Sequence, residues 1–187
     1  MTGGVDLAAL GVPMREGDLT IEPMVESHRE ALKAACAEDL EIWSVYSRSF
    51  DPDHFDSAFD FIRSRPDWRC FSIFLGGDPA GMSCFLGIDP DRAVLEIGNT
   101  YYVPKLRGTG FNRRVKDLML DRAFGCGFRR VEFRVDSRNG RSQAAMAKIR
   151  GVREGVLRQD RITWTGHVRD TVLFSILAEE WKPADGA

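Results

Sequence analysis

The sequence has few cysteines, no long hydrophobic run and no excess of positive charge. Its four cysteines, Cys36, Cys70, Cys84 and Cys126, are scattered, with no C-x-x-C pair and no histidine at a metal-ligand spacing. We expect free thiols of a reducing cytoplasm, so the pattern predicts neither a disulfide framework nor a metal site. No stretch approaches the roughly 18 apolar residues of a membrane span, and the N-terminus lacks the charged start and apolar core of an export signal.

Length and charge narrow the class of protein further. The 187 residues suit one well-buried domain, and the net charge of -2 provides no global basic surface for a nucleic acid. The sequence predicts a flexible arm over 1–17, a single domain over 18–182 and a tail over 183–187. The basic residues between 105 and 116 then mark a local site.

The stretch from Leu95 to Phe124 changes from a strand pattern to a helix pattern through Arg-Gly-Thr-Gly. Apolar residues recur at helical spacing after this loop, at Phe111, Val115, Leu118, Met119 and Ala123. Charged residues are predicted to lie away from that apolar face: Arg113, Arg114, Lys116 and Asp117. The stretch therefore predicts a strand, a glycine loop and an amphipathic helix.

The first turn of the predicted helix is basic, although a helix N-terminus already carries partial positive charge. A phosphate would supply the missing negative charge to the helix start, to Arg107 and to Arg113. Glycines in the loop would permit close approach of the backbone to that phosphate. We predict a polyphosphate site built by Arg107, Gly108, Thr109, Gly110 and Asn112.

Two other phosphate-binding loops were compared with this pattern. The nucleoside-triphosphate loop requires four residues between its glycines and a following Lys-Ser or Lys-Thr, which are absent. The dinucleotide fingerprint fits better, because Gly108 and Gly110 match and Asp136 ends the next strand. Arg113 replaces the third glycine, which such folds need for contact between helix and strand. A nicotinamide-dependent oxidoreductase stays open as a minor alternative.

The remaining pattern predicts a mixed α/β or α+β sheet with helices on both faces. We expect an edge strand over 18–24 and a first helix over 26–38, begun by a capping box of Ser27 and Glu30. A helix near 55–62 is expected next, followed by a hairpin that turns at Gly76-Gly77-Asp78. A strand over 93–103 with a bulge at Gly98 then leads into the helix from Phe111. After it we expect a strand over 131–136, a short helix over 142–149 and two final strands.

Several motifs together resemble the GCN5-related N-acetyltransferases (GNAT). Arg107 and Gly110 match the coenzyme A signature Arg/Gln-x-x-Gly-x-Gly/Ala, with Asn112 in place of the last small residue. The resemblance continues through RRVEFRVD at 129–136, the N-x-x-S pair Asn139 and Ser142, and VREGVLR at 152–158. The strand RDTVLFSI followed by Glu180-Trp181 resembles the RimJ/RimL branch of ribosomal-protein N-terminal acetyltransferases. The similarity spans about residues 18 to 182.

The resemblance implies a single-domain, mostly antiparallel sheet and transfer of acetyl from acetyl-CoA to a primary amine by direct attack in a ternary complex. The acceptor would be a protein N-terminus or a small amine. The resemblance implies no nucleic acid or membrane partner, and the protein would be a monomer or a homodimer. Further residues expected to contact coenzyme A are Ile97, Asn99, Tyr101, Val103, Phe111, Arg113 and Asn139. Glu96 is the candidate base, Ser142 the candidate proton donor to the thiolate, and N–H groups near Asn99 or Thr100 the oxyanion donors.

Some residues depart from the family pattern. Met146 stands where many relatives have a tyrosine that protonates the thiolate, and the glycine of Ile149-Arg150-Gly151 is displaced by one position. These departures leave open a coenzyme A-binding module without turnover. The segment 38–46 has two interpretations: a cleft wall that receives a cationic amine, or a solvated acidic face over buried aromatics. The residues concerned are Glu38, Asp39, Glu41, Trp43 and Tyr46.

Overall fold

A computed structural model describes residues 4–181 and places one eight-stranded sheet between helices on both faces. The helices are α1 Leu7–Leu10, α2 Arg29–Cys36, α3 Phe55–Ser64, α4 Phe111–Gly125 and α5 Gly140–Lys148. The strands are β1 Met14–Glu16, β2 Leu19–Pro23, β3 Arg69–Leu75, β4 Asp78–Asp89, β5 Val94–Tyr102, β6 Arg130–Asp136, β7 Val152–Ile162 and β8 Val168–Leu177. Short 3₁₀ segments cover Glu26–His28, Glu41–Val45 and Pro104–Leu106.

The sheet has the strand order β1-β2-β3-β4-β5-β6-β8-β7. Every neighbouring pair is antiparallel except β5 and β6, which are parallel because α4 carries the chain between them. The predicted mixed, mostly antiparallel sheet is confirmed. The hairpin turn at Gly76 and Gly77, both with positive φ, is also confirmed. No helix among residues 4–181 has the length and apolar character needed to cross a membrane.

Two hydrophobic cores hold the helices against the sheet. On one face, α4 buries Val115, Met119 and Ala123 against strand residues such as Ile97. On the other face, α2 and α3 cover an aromatic cluster of Trp43, Phe50, Phe55, Phe59 and Tyr101. Both faces of the central strands are therefore buried, as the near-continuous apolar runs of β4 and β5 require.

The strands β5 and β6 separate soon after they meet. They pair only from Val94–Glu96 to Arg130–Glu132, and beyond that point no ladder joins them. In β5 a bulge follows at Asn99 and Thr100, which have no partner residue on β4, since Gly98 pairs with Cys84 and Tyr101 with Met82. The bulge predicted at Gly98 lies one residue later, where Asn99 has φ +47°. A gap thus opens between β5 and β6 toward the loop before α4.

The N-terminal segment differs from the prediction. Residues 4–17, which belong to the predicted flexible arm, contain α1 and β1, and β1 pairs with β2. The strand β2 is therefore an interior strand, not the predicted edge strand, and Pro23 lies at its end. Residues 1–3 and 182–187, which include the predicted tail, lie outside the described part of the chain.

The capping box predicted at Ser27 and Glu30 is wrong. Ser27 lies in the 3₁₀ segment, and α2 begins at Arg29 with no side-chain cap. Tertiary contacts set this start, because the Nδ1 atom of His28 lies 2.9 Å from the Ser72 hydroxyl on β3. Arg29 also forms ion pairs with Glu26 and with Asp60 of α3. These contacts override the local capping preference.

Candidate functional site

The loop from Arg107 to Gly110 joins the end of β5 to α4 and lies on the surface. Gly108 and Gly110 have φ +80° and +88°, the left-handed region in which side chains other than glycine are strained. A Cβ atom at either position would meet no atom within 4 Å. The backbone conformation, and not crowding, therefore requires these two glycines.

The loop leaves several backbone donors exposed at the positive end of α4. Gly110 is the N-cap residue and provides no side-chain cap, and the N–H of Phe111 reaches the Thr109 hydroxyl only at 3.4 Å. Among residues 4–181, no acceptor with good hydrogen-bond geometry is found for the N–H groups of Gly108, Thr109, Gly110 and Asn112. Free N–H groups at a helix N-terminus bind anions, so the predicted phosphate position has suitable donors.

The arginine side chains near this loop already have carboxylate partners. Arg107 pairs with Asp39 through Nη1 and donates from Nε to the Tyr102 carbonyl at 3.0 Å. The Nε atom of Arg113 lies 2.6 Å from Asp117, and Arg114 pairs with acidic residues near β1. The argument that the basic first turn lacks counter-charge is therefore wrong, because the protein provides it. The anion-binding character rests on the backbone and on the Nη2 atom of Arg107, which is buried and has no partner in the part of the chain that the structure describes.

The predicted cofactor residues of β5 line the gap through their main chain. The side chains of Ile97, Tyr101 and Val103 are buried in the two cores, and the Tyr101 hydroxyl donates to the Ala35 carbonyl at 2.8 Å. Beyond Glu96, this part of β5 has no partner on β6. Its residues can therefore offer backbone groups to an extended ligand in the gap, as a neighbouring strand would.

Glu96 lies where the gap closes, at the last pair between β5 and β6. Its side chain is 18% exposed, and the nearest cation is the Nε of Arg134 at 3.6 Å. Burial raises the pKa of Glu96 to about 7, although Arg161, Arg134 and Arg169 oppose the shift. A carboxylate with this pKa can accept a proton at neutral pH.

Gly98 makes room for this carboxylate. A Cβ atom at position 98 would lie 2.6 Å from Cδ1 of Leu86 and 2.9 Å from Oε1 of Glu96. Both distances are too short for a side chain to fit without movement of its neighbours. Gly98 therefore leaves the space that the Glu96 carboxylate occupies, and it also lies next to the bulge.

Asn139 and Ser142 lie at the start of α5, but in different roles. Asn139 is the N-cap residue, and its Oδ1 accepts from the N–H of Ser142 at 3.0 Å. The half-buried Ser142 hydroxyl has no hydrogen-bond partner among the described residues. Capping thus uses the Asn139 side chain and leaves the Ser142 hydroxyl free to act on a ligand.

The two departures from the family pattern have clear structures. Met146 is 5% exposed and packs in the core, so it presents no group to the gap. Arg150, with φ +64°, occupies the left-handed position after α5. The N–H of Gly151 then donates to the Met146 carbonyl at 2.9 Å, which closes a Schellman motif. The displaced glycine leaves an arginine where glycine is preferred.

The side chains of segment 38–46 do not come together as a cleft wall that would receive a cationic amine. Trp43 is fully buried, and Asp39 is neutralised by Arg107. The Tyr46 hydroxyl donates to the Thr100 carbonyl at 2.5 Å, while Glu38 and Glu41 are exposed. The alternative, an acidic surface over buried aromatics, describes this segment better.

Lys116 is the functional candidate that sequence reasoning missed. It was predicted to lie away from the apolar face, but only 3% of it is exposed, and burial lowers the pKa of its amine to about 7. The prediction is wrong because the buried stripe of α4 is wider than the one drawn through Val115 and Met119. Leu120, four residues later, is also fully buried and could have indicated this. Among residues 4–181, no group of three His, Cys, Asp or Glu side chains is arranged to hold a metal ion.

Comparisons with known proteins agree with this geometry. A family profile described as "Acetyltransferase (GNAT) domain" matches residues 18–152. A structure from Chromobacterium violaceum ATCC 12472, described as a probable GNAT-family acetyltransferase, has a TM-score of 0.88 and 27% identity, covering 96% of this chain and 92% of that chain. A GCN5-related N-acetyltransferase from Brucella melitensis has a TM-score of 0.83 and 25% identity, covering 90% and 80%.

A more distant structure shares the fold alone. Mycobacterium smegmatis RimJ, solved in complex with CoA-disulfide, has a TM-score of 0.76 and 20% identity, covering 96% of this chain and 89% of that chain. A search of curated proteins finds no match. The mostly antiparallel sheet also rules out the dinucleotide-binding alternative, which requires a doubly wound parallel sheet.

Proposed function

This chain belongs to the GNAT family of N-acetyltransferases, and from that premise we propose that it moves the acetyl group of acetyl-CoA to a primary amine by direct attack in a ternary complex. One observation carries the proposal: the exposed N–H groups of the 107–112 loop stand at the open end of a gap whose closed end holds Glu96. An anion site and a base are thus joined by an unpaired stretch of strand. That arrangement suits a long phosphorylated thioester.

The residues present fit coenzyme A. Its pyrophosphate would be held by the backbone N–H groups of Gly108, Gly110 and Asn112, with the unpartnered Nη2 of Arg107 as a further donor. Its pantetheine arm would pair with the free backbone of β5 beyond Glu96. Acetyl-CoA supplies an acetyl group that is already activated as a thioester.

The chain's own groups would then handle two protons and one developing charge. Glu96 accepts the proton of the attacking amine, directly or through water, and the Ser142 hydroxyl donates to the departing thiolate. The N–H groups of Asn99 and Thr100, whose residues are unpaired on both neighbouring strands, would donate to the oxyanion. Positioning would lower the barrier by up to roughly 7–11 kcal/mol, and a base would add about 100- to 10,000-fold.

The RimJ/RimL type is the proposed branch, supported by the closing strand of the sequence and by the fold shared with Mycobacterium smegmatis RimJ. The proposed acceptor is accordingly a protein N-terminus or a small amine, and no nucleic acid or membrane partner is needed. The four cysteines are free thiols, which supports a cytoplasmic location. The protein would act as a monomer or homodimer.

The experiment is acetyl transfer with a broad panel of amines. The protein and acetyl-CoA are incubated with peptides that have free N-termini, amino acids, polyamines and amino-bearing antibiotics. Release of free coenzyme A thiol is followed, and mass spectrometry identifies the acceptor that gains one acetyl group. We expect release that depends on one acceptor class. Tight binding of acetyl-CoA without thiol release from any amine would contradict the proposal and leave a binding module.

A further inference from the structure

The buried amine of Lys116 lies across the gap between β5 and β6. From α4 it donates to the hydroxyl Oγ1 of Thr100 on β5 at 2.7 Å, and its Nζ lies 5.8 Å from the ring centroid of Phe133 on β6. Thr100 belongs to the bulge, and Phe133 is the first residue of β6 beyond the last pair with β5. Lys116 thus approaches both strands where they separate.

The hydrogen-bonding capacity of this amine is largely unused. An ammonium group has three donors, but Thr100 provides the one oxygen acceptor found for Lys116 within residues 4–181. No carboxylate in that part of the chain lies within 4.0 Å of it. The titratable groups that face it are Cys84 of β4 and Glu96 of β5. Unfilled donors in a buried site are costly, and an apolar side chain would avoid that cost.

Another buried donor, on β5, has no partner within residues 4–181. Tyr102 lies two residues beyond Thr100 and is 9% exposed, and its hydroxyl has no hydrogen-bond partner among the described residues. Tyr102 packs edge-on against Phe111 in the first turn of α4, so the two donors belong to the same contact between α4 and β5. Lys116 and Tyr102 are therefore two buried donors of this region whose capacity is not filled within residues 4–181.

We propose, resting on the function proposed above, that Lys116 donates a hydrogen bond to a carbonyl oxygen of the acyl-pantetheine chain in the gap. A carbonyl oxygen is a hydrogen-bond acceptor and would take up one of the unused donors of the amine. The chain offers two kinds of carbonyl, those of its amides and that of the thioester. Bonding to the thioester carbonyl makes Lys116 a catalytic residue, whereas bonding to an amide makes it a binding residue.

The test replaces Lys116 with methionine, which keeps the length of the side chain and removes its donors. The matched control is Lys33→Met, a change at a partly exposed lysine of α2 that pairs with Asp56. Affinities for coenzyme A and for acetyl-CoA are measured by calorimetry, and thermal unfolding is measured without ligand. Lys116→Gln, which restores a neutral donor, is the rescue variant.

We expect Lys116→Met to unfold at the same or a higher temperature than the wild type while binding about tenfold more weakly. Its advantage in unfolding temperature should shrink as the pH rises from 7 to 10, because the wild-type amine becomes neutral in the folded state first. An equal loss of affinity for both ligands assigns an amide carbonyl. A loss confined to acetyl-CoA, together with a lower kcat, assigns the thioester carbonyl. Lys116→Gln should recover part of the loss.

Two results would overturn the inference, and they differ from each other. If the wild type binds both ligands and Lys116→Met binds them equally well, Lys116 has no role toward the ligand and the proposed function survives. If the wild type binds neither ligand, the proposed function itself fails and this inference fails with it. Should Lys116→Met not fold, unchanged affinities in Lys116→Gln and in Lys116→Ala decide against the inference.

Discussion

The loop at 107–112 and the closed end of the gap belong to one proposed site but are built in different ways. The loop uses consecutive residues, lies on the surface and works through backbone N–H groups. The closed end uses side chains from β5, α4 and α5, and burial moves the pKa values of Glu96 and Lys116 to about 7 from opposite directions. A site made of backbone is therefore visible in residue spacing, whereas the chemistry of buried side chains depends on the folded environment.

The largest expected effect is at the closed end. Glu96→Gln should lower kcat by about 100- to 10,000-fold, because the amide cannot accept the proton. The wild-type kcat/KM should rise with pH through about 7, where Glu96 ionises, and this rise should be absent from the variant. A pH–rate profile of both proteins measures this. If kcat/KM of Glu96→Gln rose with pH by the same factor as that of the wild type, the base would be a group other than Glu96.

The free energy of unfolding distinguishes a loss of the base from misfolding of the Glu96→Gln variant. The folded-state pKa of Glu96 is raised from 4.5 to about 7, so the folded state favours the protonated acid and its ionisation opposes folding as the pH rises through that range. Glu96→Gln should therefore be more stable than the wild type above pH 7. Glu132→Gln is the matched control, because Glu132 belongs to the same cluster of charges through Arg130 and Arg134. It should retain most activity.

At the loop, Gly110→Val should weaken coenzyme A binding by about 100-fold, or about 2.8 kcal/mol. The side chain would cover the N–H groups and strain the left-handed backbone at φ +88°. Gly77→Val is the matched control, since Gly77 has φ +91°, is exposed and lies in the hairpin turn between β3 and β4. Both variants should lose similar stability, but only the first should lose affinity by calorimetry. Equal affinities would refute the loop assignment.

A smaller effect is expected beside the base. Gly98→Ala places a methyl group against the Glu96 carboxylate and should lower kcat by about 10- to 100-fold through its displacement. Its KM for acetyl-CoA should change less, because the loop is untouched. Gly155→Ala, in the exposed strand β7 with no atom within 4 Å of the added methyl, should leave steady-state kinetics unchanged. Wild-type kcat in Gly98→Ala would show that the position of Glu96 is unimportant.

The smallest effect concerns the end of α5. Arg150→Gly should stabilise the protein by up to about 1 kcal/mol, because glycine relieves the left-handed strain at φ +64°. Arg141→Gly, inside the same helix, should destabilise it by about 1 kcal/mol. Urea unfolding midpoints compare the two variants. Two changes of the same sign would mean that the conformation of Arg150 carries no strain.

Features set by local sequence were predicted correctly, whereas features set by tertiary contacts and burial were not. Local signals predicted the Gly76–Gly77 hairpin, the bulge near Gly98 and the start of α4, because turn residues and apolar periodicity act over short distances. The capping box at Ser27 failed because contacts with β3 and α3 fixed the start of α2. Lys116 was predicted as exposed because a charged residue at the margin of an apolar stripe is normally solvated, and Leu120 four residues later was the one signal of a wider stripe.

The short ladder between β5 and β6 has a mechanical consequence. Within residues 4–181, the three residue pairs Val94–Glu96 with Arg130–Glu132 form the whole backbone ladder between the five-stranded portion of the sheet and its three-stranded portion. A thioester lying in the gap would contact β5 of the first portion and β6 of the second, and would extend the contact between them. Binding of the ligand would therefore add main-chain contacts between the two portions, and its release would remove them.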